Sequence, residues 1–321
     1  MSNVLSLIGR RLVQLPIMIL GITFLVFFIM SFSKVDPAIT ALGEGASLEA
    51  RLDYRAAHGL DDPLLSRYVT FLVGMAKLDL GTYSARQLPV MDEIARAFPV
   101  TLQLTFLGLL IAVGFAFALG IVAAVYRDRW PDQAIRLLSI ASLSTPSFWL
   151  AILLIQVLGH KVGLFSVFPV AGKLPAVTDN FGGWLSRMFL PAFALAMPVI
   201  GQLSRVVRTS MVEELDRDYV RTALGAGIPR RVVVARNVLR NALITPITVL
   251  GLRIGYLLGG AVVIEIIFNI NGMGMLIMNG VTNNEPNLVQ GVTLTVALAF
   301  VVINVAVDLL YVLVNPRIRT V

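Results

Sequence analysis

VTLQLTFLGLLIAVGFAFALGIVAAVY, the stretch from Val100 to Tyr126, contains no charged residue. An α-helix needs about 20 apolar residues to cross the hydrocarbon core of a bilayer, and this run is longer than that. Within lipid the backbone N–H and C=O groups must be satisfied inside the segment, which a helix does. The stretch therefore predicts a transmembrane α-helix.

Comparable apolar runs recur along the whole chain. The predicted spans are Leu12 to Met30, Val100 to Tyr126, Ile135 to Leu158, Phe189 to Val207, Ala242 to Phe268 and Leu288 to Val314. Hydrophobic residues make up 57% of the chain and charged residues only 14%, whereas a soluble domain has about 25% charged residues. The sequence predicts an all-α membrane protein with six transmembrane helices.

The first span resembles a signal peptide because Arg10 and Arg11 precede it. It is too long for a typical signal-peptide core, and no small-x-small cleavage site follows Met30, so we interpret it as a retained anchor helix. The predicted division of the chain is an anchor over 1–31, a loop subdomain over 32–98, a five-helix core over 99–314 and a tail over 315–321.

The positions of Lys and Arg predict the orientation. Arginines are concentrated between 205 and 240, and basic residues near span ends favour the cytoplasmic side. Both termini are then cytoplasmic, and the loop over 32–98 is external, periplasmic or extracellular. The net charge of +7 is explained by topology, which argues against nucleic-acid binding.

No pattern of catalytic chemistry stands out. The chain has no cysteine, and His58 and His160 are its only histidines. The pair Gly172-Lys173 lacks the earlier glycine of a phosphate-binding loop, and neither a metalloprotease nor a serine-hydrolase motif is present. We expect no catalytic residue, cofactor or metal in this chain, so any energy source must lie on another chain.

The segment EELDRDYVRTALGAG, from Glu213 to Gly227, is charged and amphipathic between two apolar spans. Asp216 is predicted to N-cap a helix beginning at Arg217, and Gly225 or Gly227 to end it. One face would carry Tyr219, Val220, Ala223 and Leu224, whereas Asp218, Arg221 and Thr222 cover other faces. Residue chemistry leaves two interpretations: a surface that a partner binds, or a helix lying on lipid headgroups.

The segment resembles the cytoplasmic coupling loop of ABC importer permeases. Arg221-Thr222-Ala223 stands where the general pattern has Glu-Ala-Ala, Gly227 matches the glycine that follows, and Asn237 to Arg240 replaces a later Ile-x-Leu-Pro element. Further segments of the sequence are similar to the dipeptide, oligopeptide and nickel branch of the family. It comprises HGLDDPLLSRY from His58, LDLGTYS from Leu78, PVTLQL from Pro99, FPVAG from Phe168, LRNAL from Leu239 and NPR from Asn315.

The resemblance implies a machine in the bacterial inner membrane. This chain would be a non-catalytic permease subunit that pairs with a second homologous permease, two cytoplasmic ATPases and an external binding protein. The coupling loop, residues 208–240, would dock on an ATPase. The residues implied in this coupling are Asp216, Tyr219, Val220, Arg221, Thr222, Ala223, Leu224 and Gly227.

Two stripes of small residues predict close helix packing. The first stripe is Gly108, Ala112, Ala116, Gly120 and Ala124, and the second is Gly251, Gly255 and Gly259. Each stripe has two interpretations, namely contact with the second permease and packing within this subunit.

Three charged residues fall inside the predicted spans, where a charge costs about 2.5–3.5 kcal/mol on insertion scales. Arg253 and Asp308 are predicted to pair between the fifth and sixth helices. For Glu265, near the outer end of its span, the alternatives are a pathway or gate residue that meets a ligand's amino group and an interfacial carboxylate that contacts water.

These observations favour a permease for di- or oligopeptides. One alternative is the same kind of importer carrying nickel or another chelated solute. The other is a secondary transporter that works without an ATPase. Secondary transporters often contain internal repeats with paired broken helices, and no convincing repeat is visible between the two halves of this sequence.

Overall fold

The structure, a computed structural model, describes residues 2–32, 36–43, 45–84, 86–170 and 172–314, with the side chains of 2–12, 40, 252 and 308–314 outside that description. The elements are α1 Ser2–Ser31, α2 Pro37–Leu42, α3 Leu48–Ala57, α4 Leu64–Ala76, β1 Thr82–Tyr83, β2 Leu88–Pro89, α5 Val90–Val125, α6 Trp130–Ser144, α7 Ser147–Leu158, α8 Phe181–Leu215, α9 Asp218–Gly225, α10 Arg230–Val232, a π-helical turn Val233–Val238, α11 Leu239–Ala242, α12 Ile244–Phe268, α13 Met273–Thr282 and α14 Pro286–Val314.

The described chain is mostly helical, as predicted for an all-α membrane protein. Four helices, α1, α5, α8 and α14, are each long and apolar enough to cross a membrane. Three bent pairs of helices add to these, which brings the number of candidate spans to between four and seven. The predicted fold class, a bundle of membrane-spanning α-helices, is thus confirmed.

The predicted span Ile135 to Leu158 is two helices rather than one. α6 and α7 meet at an angle of 106° across Thr145 and Pro146. Proline has no N–H to continue a helix and disfavours helical geometry in the residue before it. Thr145 accordingly adopts φ −93° and ψ 117°, an extended conformation.

A second bend was not predicted. α12 ends where Asn269 takes a left-handed conformation with φ 52°, and the chain then changes direction and continues as the short helix α13. The two helical axes, over Arg253–Phe268 and Met273–Thr282, are bent by 67°. The apolar run past residue 268 therefore folds as a separate helix against α12 and α14.

The first small-residue stripe packs within the chain. Gly108, Ala112, Ala116 and Gly120 are buried on α5. A Cβ atom added at Gly120 would lie 2.6 Å from the Cβ of Val207 on α8, so a larger residue would separate the two helices. This stripe therefore serves contact between α5 and α8, one of the two predicted interpretations.

The three glycines of the second stripe do not share one environment. Gly251 faces Val307 and Gly255 faces the ring of Phe300, so both lie against α14. Gly259 is exposed, and nothing described lies within 4 Å of its Cβ position. The internal interpretation thus holds for Gly251 and Gly255.

The segment between α1 and α5 contains α2, α3, α4 and the β1–β2 hairpin. α4 packs on α1 through Tyr68, whose hydroxyl lies 2.9 Å from Thr23 Oγ1 and donates to the Leu20 carbonyl at 3.0 Å. α5 begins at Val90, so the predicted subdomain boundary at 98–99 falls inside this helix.

Candidate functional site

α8 leads directly into the predicted coupling loop. α8 ends at Leu215, and the extended residue Arg217 (ψ 148°) precedes α9, which begins at Asp218. The prediction that Asp216 N-caps this helix is wrong. The chain turns one residue later, and the Asp216 carboxylate instead accepts from Arg127 Nη1 at 2.8 Å. It thereby ties the end of α8 to the chain that follows α5.

α9 ends at Gly225, as expected, and Gly227 follows with φ +80°. This left-handed backbone conformation suits glycine because other residues pay a steric penalty there. Pro229 then precedes α10, and the chain continues through the π-helical turn to α11. The predicted helix and the glycine that follows it are both present, and a second helical segment continues from them.

The predicted docking face of α9 is divided between the interior and the surface. Val220 is only 4% exposed and packs with Val233 and Val238 in a core cluster, with Tyr219 and Ala223 partly buried against it. Val220 therefore does not belong to a partner-binding face, and the prediction is corrected there. The physical reason is that the valines of the next helical segment cover it.

Tyr219 is held in this cluster by polar contacts. Its hydroxyl donates to Glu214 Oε2 at 2.9 Å and accepts from Asn241 Nδ2 at 3.3 Å. Burial raises the pKa of the Tyr219 hydroxyl above its ordinary value. The side chain thus links α8, α9 and α11 instead of projecting toward a partner.

The outer side of α9 carries the remaining predicted residues. Leu224 is 41% exposed, and Arg221 and Thr222 are exposed. Arg221 lies 3.7 Å from Asp218, a pair so exposed that it contributes little to stability. A partner could therefore contact an exposed leucine surrounded by polar groups.

A buried ion pair that the sequence did not predict involves the first residue of the predicted coupling loop, Arg208. The Asp132 carboxylate at the start of α6 is fully buried and accepts from Nε and Nη2 of Arg208, both at 2.6 Å. Its Oδ2 also accepts the backbone N–H of Asp128 at 2.9 Å. This two-pronged arrangement joins α6 to α8 a few residues before the coupling loop turns away.

Near this ion pair, α6 and α8 also approach closely. The hydroxyls of Ser139 and Ser204 are 2.9 Å apart. A Cβ atom at Gly201 would lie 2.7 Å from the Ser139 carbonyl oxygen. These contacts hold α6 and α8 together close to the coupling loop.

A cavity of about 900 Å³ lies near the other end of α5. The start of α5, residues 169–170 and 172–176, and the turn from α12 to α13 form its walls. Charged and amide side chains line it together with apolar ones; the polar members are Glu93, Arg96, Gln103, Lys173, Asp179, Arg187, Asn269, Asn271 and Asn279. A small zwitterionic solute has both charge types available here.

Glu265 lies directly behind this cavity. It is fully buried, and its Oε2 accepts the backbone N–H of Gly274 at 2.7 Å. Thr101 Oγ1 on α5 accepts the N–H of Met273 at 2.9 Å. The N-cap residue of α13 is Gly272, which has no side chain to accept from the free N–H groups of the first turn. Glu265 and Thr101 accept these hydrogen bonds instead.

The structure therefore corrects the expectation for Glu265. The carboxylate neither contacts water nor lines the cavity, because the backbone of Gly272 stands against it. Its Oε1 has no hydrogen-bond partner within the described chain. The residue positions α13, and α13 in turn lines the cavity through Met275, Leu276 and Asn279.

Glu265→Ala should destabilise the α12–α13 turn by about 1–3 kcal/mol, because the buried Gly274 N–H loses its acceptor. Glu265→Gln is the matched control, since its amide oxygen can still accept that hydrogen bond. Thermal unfolding of the purified protein in detergent measures both variants. Equal losses of stability would contradict the capping role.

Arg253 is half-buried, and its Cζ lies 6.0 Å from the centre of the Tyr256 ring. Its Nε is buried and has no hydrogen-bond partner among the described side chains. The side chain of Asp308 lies outside the described residues. The pairing of Arg253 with Asp308 stays a prediction, and a double-mutant cycle is the measurement that addresses it.

The chain is similar to known proteins over nearly its whole length. Residues 116–320 match a family model described as "Binding-protein-dependent transport system inner membrane component", and residues 4–105 match the N-terminal model of such components. A putative peptide transport system permease protein of Brucella abortus is 38% identical over 98% of this chain and 99% of its own length.

Two other relatives are similar over nearly their full length. A probable D,D-dipeptide transport system permease protein of Escherichia coli is 34% identical over 98% of this chain and 97% of its own. A glutathione transport system permease protein of Pectobacterium atrosepticum is 37% identical over 97% of each chain.

Proposed function

The chain belongs to the family of binding-protein-dependent transport system inner membrane components, and we propose that it is the permease subunit of an ATP-driven importer of di- or oligopeptides. The observation that carries this proposal is the end-to-end similarity to permeases named for peptides, a dipeptide and glutathione. The mixed charges of the 900 Å³ cavity are compatible with a zwitterionic peptide.

We propose six membrane spans with both termini in the cytoplasm. The spans are α1, α5, the bent pair α6–α7, α8, α12 and α14, and α13 is a re-entrant helix. The concentration of arginines between 205 and 240 supports this orientation. The coupling loop is then cytoplasmic, and the cavity and the α2–α4 segment are external.

The proposed partners are a second homologous permease, two ATPases and an external binding protein. ATP hydrolysis belongs to the ATPases, and this chain transmits the resulting movement. Gly227 and the exposed Leu224 would lie at the ATPase contact. Val220, Tyr219 and Ala223 would anchor α9 to the permease instead, since they pack on its own core.

α8 is the element suited to transmit movement between the two sites. It contains 35 residues, a length of about 50 Å at 1.5 Å per residue, and so exceeds the thickness of the hydrocarbon core. Arg187 near its start lines the cavity, and its end adjoins the coupling loop. The Asp132–Arg208 pair and the contacts with α5 hold it firmly, so that displacing α9 moves a rigid body.

Reconstitution in liposomes tests the function. The permease pair with its ATPases and a peptide-loaded binding protein should take up labelled peptide only when ATP is present. Peptide uptake by this chain alone, driven by an ion gradient, would overturn the proposal in favour of a secondary transporter. Uptake of chelated nickel with no uptake of peptide would overturn the peptide assignment.

A further inference from the structure

A groove of about 750 Å³ lies between the end of α5 and the coupling loop. Four arginines line it, namely Arg127, Arg129, Arg230 and Arg231. Asp216 is the acidic residue among its lining residues, and its carboxylate is already paired with Arg127. The lining therefore has a clear excess of positive charge.

Three of the four arginines have no acidic partner in the part of the chain that the structure describes. Within the described chain, no carboxylate forms an ion pair with Arg129, Arg230 or Arg231. The side chains of Arg230 and Arg231 are also exposed. Their guanidinium groups offer planar pairs of donors that match the oxygens of a phosphate group.

The interior of the groove is apolar. Val212 and Leu215 at the end of α8, Val220 and Leu224 of α9, and Val233 and Val234 of the π-helical turn contribute to its wall. Leu224 thus lies between the groove and the proposed ATPase contact. Val220 and Val233 are buried in the adjoining core cluster. The groove thus combines an apolar wall with cationic side chains, whereas a site for free phosphate needs no apolar wall.

The groove also lies where the apolar part of α5 ends. Tyr126 lines it directly after the last residue of the helix, and the largely exposed Trp130 follows. Tyrosine and tryptophan are enriched at the level of the lipid headgroups. Basic pockets at this level between membrane helices bind anionic headgroups.

We propose that this groove binds an anionic phospholipid, with the phosphodiester between the arginines and the glycerol end of the acyl chains against the valines. The lipid would bridge the end of α5 and the coupling loop. This inference goes beyond the proposed transport function and depends only on a membrane boundary at Tyr126.

Native mass spectrometry of the assembled importer in detergent tests the proposal with two probes, phosphatidylglycerol and phosphatidylcholine of identical acyl chains. The unmodified importer should retain phosphatidylglycerol preferentially. The double variant Arg230→Gln/Arg231→Gln should bind it about 25-fold more weakly, because each basic residue near an anionic lipid accounts for about fivefold in affinity. Arg129→Gln alone should weaken binding of phosphatidylglycerol about fivefold. This single variant replaces the double variant in the test if the double variant does not assemble.

The matched control is Arg236→Gln/Arg240→Gln, which removes two exposed arginines of the same segment that do not line the groove. Its lipid affinity should stay within about twofold of the unmodified protein. Equal retention of the two lipids, or equal losses in the two double variants, would overturn the proposal. Displacement of the lipid by millimolar inorganic phosphate would identify a phosphate site instead.

Phosphatidylglycerol that binds the permeases only when the ATPases are absent would show that an ATPase occupies the groove, and would also overturn the proposal. Lipid retention is measured without any transport. A failure here therefore leaves the peptide-import function untouched, and a failure of peptide uptake leaves this inference untouched.

Discussion

Asp132→Asn is expected to lower the stability of the protein by about 3 kcal/mol. The Asp132 carboxylate is fully buried and holds Arg208 through two 2.6 Å hydrogen bonds, and removing one partner of a buried ion pair costs about 3–5 kcal/mol. The lower end applies because the Arg208 side chain keeps 18% of its exposure. Thermal unfolding in detergent measures the effect.

Asp128→Asn is the matched control. Asp128 lies 4.0 Å from the same guanidinium group but its side chain is 73% exposed, so the change should cost at most about 1 kcal/mol. A double variant with Asp132→Leu and Arg208→Met should recover most of the lost stability, because a matched apolar pair leaves no buried charge. If Asp132→Asn and Asp128→Asn are equally mild, the pair does not join α6 to α8 in the way described.

Leu224→Asp is expected to abolish transport and weaken ATPase binding about thirtyfold. Leu224 is the half-exposed apolar residue of α9, and the loss of a central apolar contact in an interface costs about 2 kcal/mol or more. The variant should still insert and fold because the side chain does not belong to the core. ATPase co-purification and peptide uptake are the measurements.

Val220→Asp supplies the contrast. Val220 is buried among Val233 and Val238, so a carboxylate there should prevent stable folding rather than selectively uncouple the ATPase. Leu224→Ala should give an intermediate loss of ATPase binding with normal folding. Unimpaired co-purification of Leu224→Asp with the ATPases would remove α9 from the proposed contact.

The bend between α6 and α7 shows what local pattern can and cannot establish. The apolar run from Ile135 to Leu158 was recognisable, yet its division at Pro146 was not predicted, although proline is a visible signal for it. The turn from Asn269 to Gly272 was likewise not predicted. Its residues favour a turn, but only the packing of α13 against α12 and α14 decides the direction in which the chain continues.

The candidate site was predictable in position but not in orientation. The spacing of Tyr219, Val220, Ala223 and Leu224 predicted one common face, but only the first three pack on the chain's own core, and Leu224 is exposed. Val220 and its neighbours turn inward because Val233 and Val238 reach them from the next segment.

The sequence by itself determined that the chain is a bundle of membrane helices, where its apolar runs lie, and where the polar coupling loop lies. These features depend on the lengths of apolar runs and on local turn residues, which are properties of neighbouring positions. Tertiary structure alone decided that Asp132 pairs with Arg208, that Glu265 caps α13, and which face of α9 is exposed. Asp132 and Arg208 are 76 positions apart, and Glu265 caps another helix through its side chain. Contacts of this kind arise only when whole helices pack, because nothing in the local pattern of one segment specifies its partner.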